Sequence, residues 1–250
     1  MPPRRLLLTV ALSLASLGLH AQDLATTCHA TSSYDLTIGQ GSVLFDRAQP
    51  MPQRVELRDG TLRTDGAPVP LRAEDEDRLA VFERELRALV PRAKSVATQG
   101  VDLLAGAMRD EGARLSLSPD TRAQLNQQLA AHAAELKQRI AASNSTHDWQ
   151  GNLADQYADR LAADLTPLLA NDLGQQALQA AMTGDLQAAA NLRDTAADLA
   201  TQLRPRLEQR MQALAPQVRA LCPAVQRLAE LQQGIRAANG QPLNLLELSQ

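Results

Sequence analysis

Aromatic rings are scarce in this chain: two phenylalanines, two tyrosines and one tryptophan, Trp149, among 250 residues. Saccharide sites stack sugar rings on aromatic faces, so this scarcity disfavours a sugar-binding protein. Lysine is nearly absent, with only Lys94 and Lys137, while arginine and alanine are abundant. We read that as a compositional bias of the genome, with no mechanism attached. No basic excess exists either, since the formal net charge is −3. Nucleic-acid binding needs a concentrated cationic face, so the charge balance argues against nucleic acid as a partner. Zincin, P-loop, GxSxG and dinucleotide-fingerprint patterns are all missing, which leaves no catalytic motif and no cofactor or metal to assign. After the N-terminus no segment is apolar enough to span a bilayer.

What the chain does have begins with an export signal. Arg4 and Arg5 form a basic head, Leu6 to Leu19 is a short apolar run, and Leu19-His20-Ala21 offers a cleavage site. The run is too short to cross a hydrocarbon core of about 30 Å as a helix. A lipoprotein anchor is disfavoured because Ala25-Thr26-Thr27, not a small-residue lipobox, precedes the first cysteine. Residues 1–21 are therefore read as a signal peptide and the mature chain as a soluble periplasmic protein. Its removal takes two arginines and leaves 28 acids against 23 bases.

Only two cysteines remain, Cys28 and Cys222. In an exported chain they read as one structural disulfide, because a CxxC redox spacing is missing. Such a bridge requires the start of the mature chain to pack near Leu221.

Between Tyr34 and Leu71 the apolar period is that of strands. Tyr34-Asp35-Leu36-Thr37-Ile38, Val43-Leu44-Phe45, Arg54-Val55-Glu56-Leu57-Arg58 and Thr61-Leu62-Arg63-Thr64 are short runs, the later ones separated by Asp59-Gly60 and Asp65-Gly66 turns. The pattern predicts an antiparallel meander with Val55, Leu57, Leu62, Val69 and Leu71 on its apolar face. A calcium reading of the aspartates fails for want of EF-hand ligand spacing.

Beyond residue 73 the period becomes helical. Glu74-Asp75-Glu76-Asp77 suits a helix first turn, where carboxylates meet the positive end of the dipole. Leu79, Phe82, Leu86, Leu89, Ala93 and Val96 continue one face, with Pro91 expected to kink it. Ser118-Pro119-Asp120 is a start signal for a second helix bearing Leu125, Leu129, His132, Leu136 and Ile140 on one face. His132 reads as a seam histidine, since no second ligand or carboxylate is spaced with it. The polar stretch Ser143 to Gly151 holds His147, Asp148 and Trp149. It reads as a loop in which Trp149 anchors back onto the helices.

A third helical segment carries Leu161, Leu165, Leu168 and Leu169, interrupted by Pro167, with breaks expected at Asn171 to Gly174 and at Thr183-Gly184-Asp185. From Leu192 to Ile235 apolar residues recur every three or four positions through Leu203, Leu207, Met211, Leu214, Val218, Leu221, Val225 and Leu228. This amphipathic, coiled-coil-like tract must bury its stripe. Pro205, Pro216 and Pro223 predict a bent or segmented rod. Leu243 to Leu248 is expected as a short strand or turn at the edge of the N-terminal sheet. The fold class is thus α+β, with a β-meander region over 22–72 and a helical region over 73–250 packed with it as one domain.

The order of these features resembles the YggN-like proteins of Gram-negative bacteria, an exported family of unknown function. The resemblance rests on Cys28 soon after the signal, Val55-Glu56-Leu57-Arg58-Asp59-Gly60-Thr61-Leu62 with the second Asp65-Gly66, Leu86-Arg87-Ala88-Leu89-Val90-Pro91-Arg92-Ala93-Lys94, Leu221-Cys222 and the leucine-rich tail. It implies localisation and architecture but carries no catalytic residue. Two functions follow as expectations: a non-enzymatic scaffold, adaptor or chaperone-like protein that binds another envelope protein, or a carrier holding an apolar ligand such as a lipid between helices. An apolar cavity of several hundred Å³ would favour the carrier.

Overall fold

The computed structural model describes residues 27–149 and 153–248. The expected signal segment 1–21, and Gln150 and Gly151 of the polar break, lie outside the described residues. The elements are β1 (Ala30–Thr31), β2 (Asp35–Ile38), β3 (Val43–Asp46), β4 (Arg54–Arg58), β5 (Thr61–Thr64), β6 (Ala67–Val69), α1 (Ala73–Arg114), α2 (Pro119–Ala142), α3 (Leu153–Met182), α4 (Leu186–Met211), α5 (Ala215–Arg219), α6 (Cys222–Leu231) and β7 (Glu247–Leu248). The architecture is α+β, as the change of period at residue 73 predicts. The chain forms two compact units, one from 27–97, 140–149 and 214–248 and the other from 98–139 and 153–213.

The first unit is built on the meander. Its five strands lie in the order β2-β3-β4-β5-β6, each antiparallel to the next. Both Asp-Gly turns take left-handed backbone at both residues: Asp59 φ 47° and Gly60 φ 81°, Asp65 φ 49° and Gly66 φ 81°. Such turns match the twist of the strands they join. Alternation then places Val43, Phe45, Val55, Leu57 and Leu62 on one face, all buried against Leu79, Phe82 and Leu86 of α1 and against Leu228, Ile235, Leu243 and Leu245. A five-stranded sheet of strands this short needs that cover to stand.

Charged side chains of α1 fasten this cover by serving backbone groups. Glu83 is buried; its carboxylate accepts from the Asp59 N–H at 2.9 Å and from the Arg87 guanidinium at 2.7 Å. Arg87 also donates to the Gly39 carbonyl at 2.7 Å, Arg92 to the Ala220 carbonyl at 3.1 Å, and Lys94 to the carbonyls of Ala141 and Ser143. Arg78 donates to the Leu231 and Gln233 carbonyls at the end of α6, at 2.8 and 2.5 Å. At Gly60 the hairpin tip meets α1 so closely that a Cβ would lie 2.6 Å from the Glu76 carbonyl oxygen. Glycine is required there by space as well as by φ.

The edges are handled separately. The polar break after α2 docks on β2: the Ile38 N–H donates to the Asn144 carbonyl, the Leu36 N–H to Thr146 Oγ1, and Thr37 and Ser145 share a hydroxyl–hydroxyl bond of 2.9 Å. These bonds occupy one edge of the sheet. The far edge, β6, carries Pro68, which has no N–H to offer another strand. The tail departs from expectation. Glu247–Leu248 pairs with Ala30–Thr31 as a two-stranded sheet of its own, not with the meander. Gln232 holds it in place, accepting from the N–H groups of Leu245 and Leu246 and donating to the Leu246 carbonyl.

The second unit is helical, with a core of Leu115, Leu117, Leu125, Leu129 and Leu165 to which Leu161, Leu168, Leu169 and Leu173 add partly buried surface. Ser118 caps α2 as its sequence predicts, accepting from the Thr121 N–H at 3.2 Å. Gly112 of α1 sits where a Cβ would meet Leu125 Cδ2 at 2.5 Å, so its lack of a side chain lets α2 come close. The expected breaks at Pro167 and at Asn171 to Gly174 do not occur: α3 runs unbroken through both. Burial of Leu165, Leu168, Leu169 and Leu173 on one stripe outweighs local costs of about 3 kcal/mol for an interior proline and about 1 kcal/mol for glycine.

Along the C-terminal tract the proline expectation divides. Pro205 lies inside continuous α4, whereas Pro216 and Pro223 open the short helices α5 and α6. The last helix stops at Leu231, short of the expected end near residue 238, and Gly234 at φ 78° turns the chain.

Candidate functional site

Cys28 and Cys222 are joined, with an S–S distance of 2.05 Å and Cα atoms 5.0 Å apart. Cys222 is the first residue of α6, and Leu221 beside it is buried. The bridge fastens β1 to α6 and leaves no thiol for chemistry.

His132 has a carboxylate partner that its own helix does not reveal. Its Nε2 lies 2.9 Å from Asp164 Oδ2 on α3. The nearby pair Glu135–Arg160, 3.2 Å apart, joins the same two helices. The arrangement is a tie between helices, invisible to a search along one helix because its two halves are far apart in sequence. Asp172 is a second such tie. Its buried carboxylate accepts from the Ser118 N–H, from Thr121 Oγ1 at 3.0 Å and from Gln176 Nε2 at 2.8 Å. Hydrogen bonding from Ser118 is the largest cause holding the Asp172 carboxyl below its usual range, with Thr121 and Gln176 assisting against burial. Because the folded-state pKa is depressed, the stabilisation is present above the unfolded value of 3.8 and is lost as pH falls through the folded value. Asp172→Asn should therefore melt lower than wild type at pH 7, with the gap closing below about pH 4; melting curves across this range check it.

The polar break does not behave as expected around its tryptophan. Trp149 ends a 3₁₀ turn, Thr146–Trp149, and is 43% exposed, so it does not anchor onto the helices. Hydrogen bonds hold the turn instead: Asp148 accepts from the N–H groups of Asn144 and Ser145, and Thr146 Oγ1 donates to Asp35. His147 Nδ1 is 3.7 Å from Asp35. These groups are spent on fastening β2. Among the described residues there is no group of three or more His, Cys, Asp or Glu placed to hold a metal ion. No described helix is long and apolar enough to cross a membrane.

Two surface hollows of about 500 Å³ are both charged. One is lined by Glu111, Arg114, Asp194, Asp198 and Arg206, in which Arg206 bridges Glu111 at 3.0 Å and Asp198 at 2.9 Å. The other lies on the sheet's outer face among Arg54, Glu56, Arg58 and Arg63.

The feature that sequence periodicity misses is the tip of the α3–α4 hairpin. The two helices pack on each other across Thr183-Gly184-Asp185, with Gly184 at φ 73° making the turn. Asp185 caps α4 by accepting from the Ala188 N–H at 2.9 Å. Leu178, Met182 and Leu186 stand out here at 62%, 79% and 76% exposure. Leu178 and Met182 lie one helical turn apart on α3, and Leu186 opens α4 just past the turn. Among the described residues, the large exposed apolar side chains are these three, Met51, Trp149 and Leu248, and only these three cluster within one turn-linked segment. Between Arg160 and Arg193 the chain contains no lysine, arginine or histidine. The signal available in the sequence was that stretch without cations, not the apolar period.

No curated protein and no solved structure matches the chain. A family model described as a protein of unknown function (DUF2884) matches residues 28–246. That match starts at the bridged Cys28, passes through the meander and the helices α1 to α6, and ends in the tail that Gln232 holds. On that span the chain belongs to the family of proteins of unknown function DUF2884.

Proposed function

We propose that the protein is a non-enzymatic interaction protein of the bacterial envelope, a scaffold, adaptor or chaperone-like factor, that docks another protein on the tip of its α3–α4 hairpin. The exposed cluster Leu178, Met182 and Leu186 carries this reading, since an apolar patch left in water on a folded chain marks a place that something covers. The N-terminal Arg4-Arg5 head and apolar run support export with cleavage near Ala21, and the order of motifs supports kinship with YggN-like proteins. The carrier reading draws no support from either hollow, because ion pairs line both where a lipid chain needs hydrocarbon.

A photo-crosslinking residue at the exposed Gln179, introduced into the full-length chain in intact bacteria, tests this reading. The expected product is a protein–protein adduct recovered from the periplasmic fraction, on a chain whose N-terminal sequence begins near Gln22. Capture of lipid without protein, an intact Met1, or a lipid attached to Cys28 would overturn it.

A further inference from the structure

We infer that Met182 is an oxidation site, at which hydrogen peroxide converts the thioether to a sulfoxide and so puts a polar group in the middle of the apolar hairpin tip. This rests on the reading of the tip as an interaction surface, and names a regulation of it. Both cysteines are spent in the bridge, so the thioethers are the readily oxidised sulfur groups left. Beyond Met1 they are Met51, Met108, Met182 and Met211. Met108 packs against the leucine core of the helical unit, and Met211 is half-buried at the end of α4. Met51, on the β3–β4 loop, is 54% exposed, whereas Met182 is 79% exposed. Met182 is the last residue of α3, and the turn after it is open: a Cβ at Gly184 would meet nothing within 4 Å. An oxidant therefore reaches this sulfur directly from solvent.

The reaction needs no catalytic group from the protein. The sulfur lone pair attacks one peroxide oxygen, an S–O bond forms and the O–O bond breaks. The departing hydroxide takes the proton from the new S–OH, which gives water and the sulfoxide. Sulfur is oxidised and the peroxide reduced, each by one electron pair. A flexible apolar side chain thereby becomes a polar, chiral one. Its position gives the change a consequence. Met182 stands between Leu178, one turn before it, and Leu186, just past the turn. Any apolar surface laid over the cluster would have to strip water from the sulfoxide oxygen, and burying a polar group without a partner is costly. The fold itself should not respond, because the side chain already lies in water.

The test exposes the purified chain, with its disulfide intact, to limiting hydrogen peroxide and locates the sulfoxides by peptide mass spectrometry. Met182 should gain oxygen first, Met51 second, and Met108 and Met211 last. The same samples are then run on a phenyl-bearing chromatography matrix, which retains exposed apolar surface. Oxidised wild type should elute earlier than the untreated protein, and methionine sulfoxide reductase should restore its retention. Met182→Leu keeps the apolar surface without the sulfur, so its elution should not move under the same oxidant. Both proteins should keep their circular dichroism throughout. Earlier oxidation of another methionine, unchanged retention of oxidised wild type, or an equal loss of retention in Met182→Leu overturns the inference. If Met182 oxidises and retention falls as expected, while the Gln179 crosslinker captures no protein, the interaction reading fails and the oxidation site stands.

Discussion

Cys28→Ser should leave the fold recognisable while lowering its melting temperature by about 5 to 15 °C. The bridge closes a sequence separation of 194 residues. In the chain-entropy model, a loop that long stabilises the folded state by roughly 5 kcal/mol relative to the open chain, an upper figure because unfolded chains keep some structure. The structure adds a local reason for the loss. Cys28 lies two residues before β1, whose only strand partner among the described residues is β7. Without the bridge, the start of the chain is held by that two-stranded pairing and by what Ser32 and Tyr34 contribute: the Tyr34 hydroxyl donates to the Pro52 carbonyl at 3.2 Å, and its ring lies beneath the Arg47 guanidinium, 4.0 Å from the centroid. The meander and its cover by α1 do not depend on the bridge, so the sheet's circular dichroism should persist. Reductant should lower the melting temperature of wild type by a similar amount and leave Cys28→Ser unchanged. Equal melting of oxidised and reduced wild type would show that the bridge contributes nothing to stability.

Glu83→Ala should cost about 1 to 3 kcal/mol, the range for leaving hydrogen-bond donors without their charged acceptor, because Arg87 on the other side of the pair is partly open to solvent. The Glu83 side chain is 9% exposed and serves two groups at once. One is the N–H of Asp59 in the hairpin turn, which after the change has no acceptor on the helix below it. The other is Arg87, which is left as an uncompensated cation against the Gly39 carbonyl. Glu83→Gln keeps the shape and one acceptor oxygen, and should recover part of the loss. Urea unfolding followed by far-ultraviolet circular dichroism separates the three proteins by their midpoints. If Glu83→Ala unfolds within about 0.5 kcal/mol of wild type, the range of an ordinary surface change, the carboxylate is not what locks the hairpin to α1.

Much of the fold could be read along the chain because the cause was local. Asp59-Gly60 and Asp65-Gly66 turn where they do since both residues must take positive φ, and that need is visible in a dipeptide. The alternation Val55-Glu56-Leu57 assigns a strand and its buried face together, and Ser118-Pro119 marks a helix start by cap and ring alone. Where local rules compete with packing, they mislead. Gly174 and Pro167 look like breaks, yet α3 continues because the leucines around Pro167 and Leu173 beside Gly174 are wanted on one buried stripe.

The sequence by itself determined the meander strands and their turns, the start of α2, the change from sheet to helix near residue 73, and the absence of any familiar catalytic pattern. Those follow from backbone propensity and side-chain period, which are properties of neighbouring residues. Only the tertiary structure decided what Arg78, Arg87, Arg92 and Lys94 are for, since each reaches a carbonyl distant in sequence, and a cation on a helix looks the same whether it meets water or a buried oxygen. Only the fold, too, paired His132 with Asp164, sent the tail to β1, and left Leu178, Met182 and Leu186 in water. A leucine's spacing says which face of a helix it occupies. Whether anything lies against that face is set by the path of the rest of the chain, and at the α3–α4 turn none of the described residues covers it.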